Sequence, residues 1–95
     1  MYARVTTFQC KPERLDEAIE RLEGLKPRIK QLPGIIDVYG AWRKDGHAIV
    51  TSIYKTHRSA LAAAPKALML FGDLAEFLNS TPKTETYDNV SHLTE

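Results

Sequence analysis

Four aromatic side chains of this sequence are suited to ligand chemistry. Trp42 can stack on a flat ring and can donate one hydrogen bond through its indole N–H. Tyr39, Tyr54 and Tyr87 each join an apolar ring to a hydroxyl group, which suits a pocket for a phenolic or quinone-like compound. The same residues also suit the core of an ordinary half-buried sheet. These four residues are the first candidates for a substrate pocket, and the pattern identifies no catalytic residue.

The three histidines could exchange a proton near neutral pH. None of His47, His57 and His92 has a second His, Cys or carboxylate at a spacing typical of metal ligands. We therefore expect no metal site and no cofactor. His92 lies near the end of the last predicted strand and is the fifth pocket candidate. The single Cys10 cannot form an internal disulfide, and it suits a small buried position.

Length and charge limit the classes of partner. The chain has 95 residues, 13 of them basic and 12 acidic, so we expect one domain over 1–95 and no nucleic-acid partner. The longest apolar run, residues 67–71, is too short to cross a membrane. The lone cysteine and an amino end without a signal-peptide pattern favour a cytoplasmic protein.

The first half of the chain predicts a strand, a helix and a hairpin. Residues Tyr2 to Cys10 are rich in β-branched and aromatic types, and apolar residues then recur at steps of three and four from Leu15 to Leu32. Pro12 suits the first turn of that helix, and Gly24 and Pro27 predict a kink in it. Two strands, 35–42 and 47–54, flank an Asp-Gly hairpin turn at residues 44–46.

The second half predicts another helix and a last strand. Leucines at helical spacing indicate a helix between Ser59 and Leu78, broken at Pro65 into a short turn and a longer helix from about Lys66. Thr84 to Leu93 is typical of a polar strand. The order βαββαβ predicts an α+β, ferredoxin-like fold, in which a four-stranded antiparallel sheet carries two helices on one face.

The strands predict apolar side chains on both faces of that sheet. In the third strand Ala48, Val50 and Tyr54 lie opposite to Ile49 and Ile53, because successive side chains alternate between faces. In the second strand, one set (Ile36, Val38 and Trp42) opposes another (Ile35, Tyr39 and Ala41). Two helices cover only one face, so the other face should either meet a second copy of the chain or be a binding surface, and pairing of two sheets about a two-fold axis is the simplest expectation. The apolar run 67–71 is a weaker indication of an interface.

These features together resemble a known family. They are the βαββαβ order, the helix-ending Leu32-Pro33-Gly34, the hairpin through Lys44 to Gly46, and Tyr54 before the second helix. The chain resembles the dimeric α/β-barrel superfamily, and within it the antibiotic biosynthesis monooxygenase-like group most closely. The resemblance implies that two sheets pair into a barrel at a homodimer interface, with a pocket in each subunit between sheet and helices.

The resemblance also implies candidate functions. Its members include cofactor-independent quinol and polyketide monooxygenases, haem-degrading enzymes, isomerases and proteins without assigned activity. Several catalytic members place Asn, Trp or His on or beside the second helix, and residues 60–71 contain none of these. The leading hypothesis is a cofactor-independent monooxygenase (oxidoreductase) that acts on a small aromatic or quinol-like compound. The alternative is a non-catalytic dimeric module that binds or senses a small apolar or aromatic ligand.

Overall fold

A four-stranded antiparallel sheet carries the helices in a computed structural model that describes residues 1–95. The strands are β1 (Tyr2–Gln9), β2 (Ile35–Trp42), β3 (His47–Tyr54) and β4 (Lys83–Tyr87). The helices are α1 (Leu15–Gly24), α2 (Lys26–Ile29) and α3 (His57–Gly72), with short 3₁₀ turns at Pro12–Arg14 and Ala75–Phe77. None of these helices has both the length and the apolar character that crossing a lipid bilayer requires.

The strand order β2-β3-β1-β4 places the first strand inside the sheet and leaves β2 and β4 at its edges. Tyr2 lies opposite Tyr54 and Phe8 lies opposite Ala48 in the β1–β3 pair. In the β1–β4 pair, Ala3 lies opposite Tyr87. This topology confirms the predicted ferredoxin-like α+β fold.

The helices pack on one face of the sheet, which we call the inner face. One core cluster joins Tyr2 and Tyr54 of the sheet to Leu25, which lies between α1 and α2, and to Ala60, Ala63 and Leu70 of α3. A second cluster joins Phe8, Ala48 and Val50 to Ala18, Leu74 and Phe77. The other side, called the outer face, has no helix and carries Ala3, Val5, Tyr39, Ile49, Ile53 and Tyr87.

The β2–β3 hairpin forms where Asp45-Gly46 predicted it. Gly46 has a φ of 93°, a left-handed conformation that glycine adopts at little cost. A carboxylate oxygen of Asp45 accepts a hydrogen bond from the amide of His47 at 3.0 Å and closes the turn. Local turn chemistry therefore determines the register of this pair.

The predicted kink in the first helix is confirmed. α1 ends at Gly24 and α2 begins at Lys26, with Pro27 in the first turn of α2. The amide of Leu25 between them donates to the carbonyl oxygen of Leu22 at 3.0 Å. The break lets the two helical segments follow the same face of the sheet.

The predicted break at Pro65 is wrong, because α3 runs without interruption from His57 to Gly72. Proline removes the hydrogen bond to the carbonyl four residues earlier, here that of Leu61. Pro65 and Leu61 both lie on the solvent side of α3, so water can solvate that carbonyl group. The Thr56–Ser59 capping box also fixes the start of the helix, since each side chain bonds the other residue's backbone amide.

Two predicted ends are also wrong. The second helix does not reach Leu78: it ends at Gly72, and a separate 3₁₀ turn over Ala75–Phe77 buries Phe77 beneath α1. The last strand is shorter than 84–93, because β4 ends at Tyr87. The strand ends where β1, its pairing partner, begins.

A β-bulge in β2 corrects one predicted face. Ile35 lies opposite Tyr54, but Asp37 lies opposite Ile53, so Ile36 is an extra residue on this strand. Ile35 therefore packs against the inner-face core rather than on the side of Tyr39 and Ala41. Ile36, predicted to share a face with Val38 and Trp42, is the extra residue of the bulge and is exposed.

Candidate functional site

An apolar groove of about 400 Å³ lies between the α1–α2 segment and the edge strand β2. α3 covers β1 and β3, which leaves the inner face of β2 partly open beside the first helix. The apolar face of α1–α2 forms one wall with Ile19, Leu22 and Ile29. Residues of β2 form the other wall, namely Ile35, Ile36, Val38, Gly40 and Trp42. The groove follows β2 over most of its length.

Trp42 and Gly40 define one end of this groove. The Trp42 ring packs edge-to-face on Phe8, with the ring centroids 5.8 Å apart and an interplanar angle of 80°. A Cβ atom placed on Gly40 would lie 3.7 Å from the indole Nε1 and 3.8 Å from Leu22 Cδ2. The glycine therefore leaves open the space beside the indole N–H that a larger residue would occupy. Phe8 therefore contacts the Trp42 indole from the core, and another side of the indole lines the groove.

A smaller apolar cavity of about 40 Å³ adjoins the groove under α3. The two spaces share Leu22, Ile29 and Val38 as lining residues. Beyond those residues the small cavity is lined by apolar side chains of β3 and α3, by Leu32 and Leu74, and by Ser52. Movement of the shared side chains would extend the groove toward the centre of the subunit.

Charged side chains border the groove at its solvent side. Lys26 and Glu23 approach each other at 3.9 Å, and both are well exposed. Lys30 and Asp37 border the groove without forming an ion pair. Histidine, cysteine, serine, threonine and tyrosine are all absent from the lining residues. The available proton donors and acceptors are therefore ammonium and carboxylate groups.

Tyr54 lies in the core and outside this groove. Its side chain is 0% exposed, and its hydroxyl oxygen accepts a hydrogen bond from Arg4 Nη1 at 3.2 Å. Arg4 Nη2 also donates to the carbonyl oxygen of Ala60 at 2.9 Å. This pair of bonds connects β1 and β3 to the first turns of α3.

Tyr39 and Tyr87 project from the outer face, on the opposite side of the sheet from the groove. They are 65% and 47% exposed. The Tyr87 hydroxyl donates to a carboxylate oxygen of Glu85 at 2.7 Å, and this hydrogen bond raises the pKa of Tyr87. These two tyrosines therefore lie on the opposite face of the sheet from Trp42.

The remaining titratable candidates are also separate from the groove. His92 is exposed near the carboxyl end, where its Nδ1 lies 3.6 Å from a carboxylate oxygen of Glu95. His57 stacks on Tyr2 with ring centroids 4.7 Å apart. Cys10 is fully buried, and burial raises the pKa of its thiol. No three His, Cys, Asp or Glu side chains come together in an arrangement that could hold a metal ion.

Of the five pocket candidates, Trp42 alone lines the groove. The sequence interpretation missed Gly40, although an isolated glycine within a strand often marks a close approach of another group. It also missed the groove-lining position of Leu22, Ile29 and Val38, since an apolar residue that lines a groove has the same sequence signal as one in the core.

This chain is similar to known proteins in its fold. No protein-family model and no curated protein sequence matches this chain. A protein of unknown function from Nitrosomonas europaea is similar in structure with a TM-score of 0.82 and 16% identity, covering 99% of this chain and 93% of that one. A structure of an antibiotic biosynthesis monooxygenase has a TM-score of 0.75 and 15% identity, covering 96% of this chain and 100% of that one.

A third similar structure contains a ligand. It is a Streptomyces coelicolor monooxygenase in complex with nanaomycin D, with a TM-score of 0.76 and 18% identity. The match covers 99% of this chain and 91% of that one. All three matches span nearly the whole of both chains, so the likeness concerns the complete βαββαβ unit. The chain therefore has the ferredoxin-like fold of the antibiotic biosynthesis monooxygenase structures, as its sequence predicted.

Proposed function

We propose that the chain is a single-domain cytoplasmic protein whose homodimer binds a small aromatic or quinol-like compound in the groove between α1–α2 and β2. The proposal depends mainly on one observation, the Trp42 indole beside the open space at Gly40. A flat ring would stack on the indole or lie against Leu22 and Val38. The likeness to a monooxygenase in complex with nanaomycin D supports a ligand of this kind.

The reaction we propose is oxidation of that compound by O₂, with no metal or flavin. One oxygen atom replaces a ring hydrogen, so that a naphthoquinol becomes a hydroxynaphthoquinone. The other oxygen atom leaves as water with two hydrogens of the substrate, and the substrate supplies all the electrons. A phenolic substrate must lose its hydroxyl proton to become electron-rich, and the carboxylate of Glu23 accepts it. The ammonium group of Lys30 or Lys26 then stabilises the phenolate.

A non-catalytic ligand-binding module is the second candidate. Two observations favour it: the groove lining has no imidazole, thiol or hydroxyl group, and α3 presents no Asn, Trp or His between residues 60 and 71. A mainly hydrocarbon site binds an apolar ring without changing it. In this case the dimer carries or senses the same class of compound.

The outer face supports the homodimer. Val5, Ile49 and Ile53 occupy the middle of this face, and Tyr39 and Tyr87 lie on its two edge strands. No helix of the chain covers them. Pairing of two outer faces about a two-fold axis would bury these side chains and leave both Trp42 grooves accessible.

The experiment compares binding with oxygen consumption for the same compounds. Trp42 is the only tryptophan, so quenching of its fluorescence by a naphthoquinone reports occupancy of the groove. The corresponding naphthoquinol is then supplied under air while an oxygen electrode records uptake. We expect saturable quenching, and oxygen uptake above the rate of spontaneous oxidation.

The outcomes distinguish the two candidates. Quenching without enzymatic oxygen uptake would leave only the binding module. Loss of uptake in Trp42→Phe and in Gly40→Val would assign the reaction to the groove. If neither quenching by the naphthoquinone nor oxygen uptake with the naphthoquinol occurs, the proposed function is wrong.

A further inference from the structure

The solvent side of α3 is unusually apolar. Leu61, Leu68 and Met69 are 60%, 74% and 66% exposed, although each is a large hydrophobic residue. Ala62 and Pro65 lie between them and are also exposed. We call these five residues the α3 surface. Ala60, Ala63 and Leu70 on the opposite side of the same helix supply its buried contacts. A contiguous exposed apolar surface of this kind typically marks an interaction site.

The charged side chains of α3 itself all have one sign. Arg58 and Lys66 flank it on the same helix, and neither forms an ion pair within the chain. No Asp or Glu occurs between Asp45 and Asp73, so α3 has no acidic residue of its own. The cations are therefore available to carboxylates of another molecule.

A groove of about 310 Å³ runs beside this surface, between the end of α2 and α3. Leu32 and Leu70 are its buried apolar residues, and Met69 borders it. Arg28 and Lys66 are its charged residues, and no carboxylate lines it. Arg28 already pairs with Asp73 at 2.8 Å, which leaves Lys66 as the free cation. The groove can hold an apolar side chain while Lys66 pairs with an acidic group next to it.

We propose that the α3 surface and this groove bind an amphipathic helix of another protein, with apolar residues along one side and acidic residues beside them. Leu61, Pro65 and Leu68 are spaced by four and three residues along α3, which forms a ridge that a second helix can pack against. The acidic residues of that helix would pair with Arg58 and Lys66. The site is separate from the Trp42 groove and from the outer face, and does not depend on the proposed function.

The charge pattern favours an acidic helix over two alternative occupants of the α3 surface, a second copy of the chain and a membrane. A second copy of α3 would add its own Arg58 and Lys66 to the surface and no carboxylate from the helix to pair with them. A membrane surface is flat and would leave the groove beside Met69 unfilled. Helices that lie on membranes also carry more basic residues than the two present here, together with aromatic anchors that the α3 surface lacks.

Fluorescence anisotropy of the full chain with two synthetic helical peptides tests the proposal. One labelled peptide carries leucines along one side and glutamates on both flanks, and the other has lysine in place of every glutamate. We expect the acidic peptide to bind and the basic peptide not to bind. The double variant Arg58→Glu with Lys66→Glu should lose about tenfold or more in affinity for the acidic peptide and should bind the basic one.

Further variants separate a specific site from general adhesion. Leu68→Ser with Met69→Ser should abolish binding of the acidic peptide, whereas Lys83→Glu on the exposed strand β4 should leave it unchanged. Circular dichroism checks that each variant keeps its fold. The proposal is overturned if the acidic peptide does not bind, if the α3 variants bind it as well as the original chain does, or if the chain binds phosphatidylserine vesicles but not the peptide.

Discussion

The amide of Cys10 donates a hydrogen bond to the carbonyl oxygen of Gly46 at 2.8 Å, and this bond attaches the end of β1 to the hairpin turn between β2 and β3. Gly46 is buried there with a φ of 93°, and a Cβ atom at this residue would collide with the Cys10 carbonyl oxygen. The turn and the end of the first strand therefore constrain each other through a residue that must lack a side chain.

Gly46→Ala should destabilise the fold by about 1–3 kcal/mol, because alanine meets both the strained φ and the Cys10 carbonyl. Urea unfolding followed by circular dichroism measures the loss. Gly72→Ala is the matched control, since it lies in α3 with open space around its Cα, and it should be neutral or slightly stabilising. Equal stability of the two variants would contradict this account of the turn.

Gly40→Val should close the Trp42 end of the groove without harming the fold. A Cβ at residue 40 makes ordinary van der Waals contacts at 3.7–3.8 Å, and valine suits a strand better than glycine does. We expect the affinity for the naphthoquinone, measured by Trp42 quenching, to fall by about tenfold or more, as a lost contact of about 1.4 kcal/mol implies. Thermal unfolding should occur at the original temperature or above it. Unchanged quenching would mean that the ligand binds elsewhere.

Ile49→Lys should convert the proposed homodimer into a monomer. Ile49 lies opposite Thr7 on one side and Ala41 on the other, in the middle of the outer face. The ammonium group of a lysine at this position would be buried without a partner in a face-to-face dimer. Sedimentation velocity at micromolar concentration measures the change. Leu68→Ser, on the α3 surface, is the control and should remain dimeric. A monomeric original chain would contradict the homodimer itself.

The elements that the sequence predicts correctly are those that depend on neighbouring residues. The β2–β3 hairpin and the helix break near Leu25 depend on neighbouring residues, so Asp45-Gly46 and Pro27 predict them directly. The continuity of α3 through Pro65 depends on which side of the helix meets solvent, and that becomes known only once the sheet is in place.

The candidate site is harder to predict than the hairpin, because it depends on which face of the sheet the helices cover. Tyr39, Tyr54 and Trp42 have similar sequence signals, yet they lie on the outer face, in the core and in the groove. The side of the sheet that the helices cover, together with the bulge at Ile36, decides these locations. Both depend on contacts between residues far apart in the chain.

Tyr54→Phe should cost about 0.5–1.5 kcal/mol, because Arg4 Nη1 loses the hydroxyl acceptor while the aromatic ring still fills the core. Urea unfolding measures this cost. Tyr87→Phe removes an exposed hydroxyl and should change stability far less. A double-mutant cycle with Arg4→Met isolates the coupling, and a coupling near zero would show that the Arg4–Tyr54 bond does not stabilise the fold.

The Cys10 thiol should react slowly with an aromatic disulfide reagent in the folded protein. Burial raises the pKa of the thiol, so the folded chain favours the neutral form. The resulting contribution to stability is present below the thiol pKa of the unfolded chain, and it is lost as pH rises through the pKa of the folded chain. Stopped-flow absorbance should show a reaction much slower than in urea at the same pH. Equal rates would mean that Cys10 is accessible.

Because β1 lies between β3 and β4, shortening the chain at its amino end disrupts the sheet, whereas a tag at its carboxyl end does not. Deleting the first eight or nine residues would remove the only strand that joins the hairpin to β4, so the sheet would separate into two parts. The residues after Tyr87 belong to no strand or helix, and a fusion attached there would leave every backbone pairing in place.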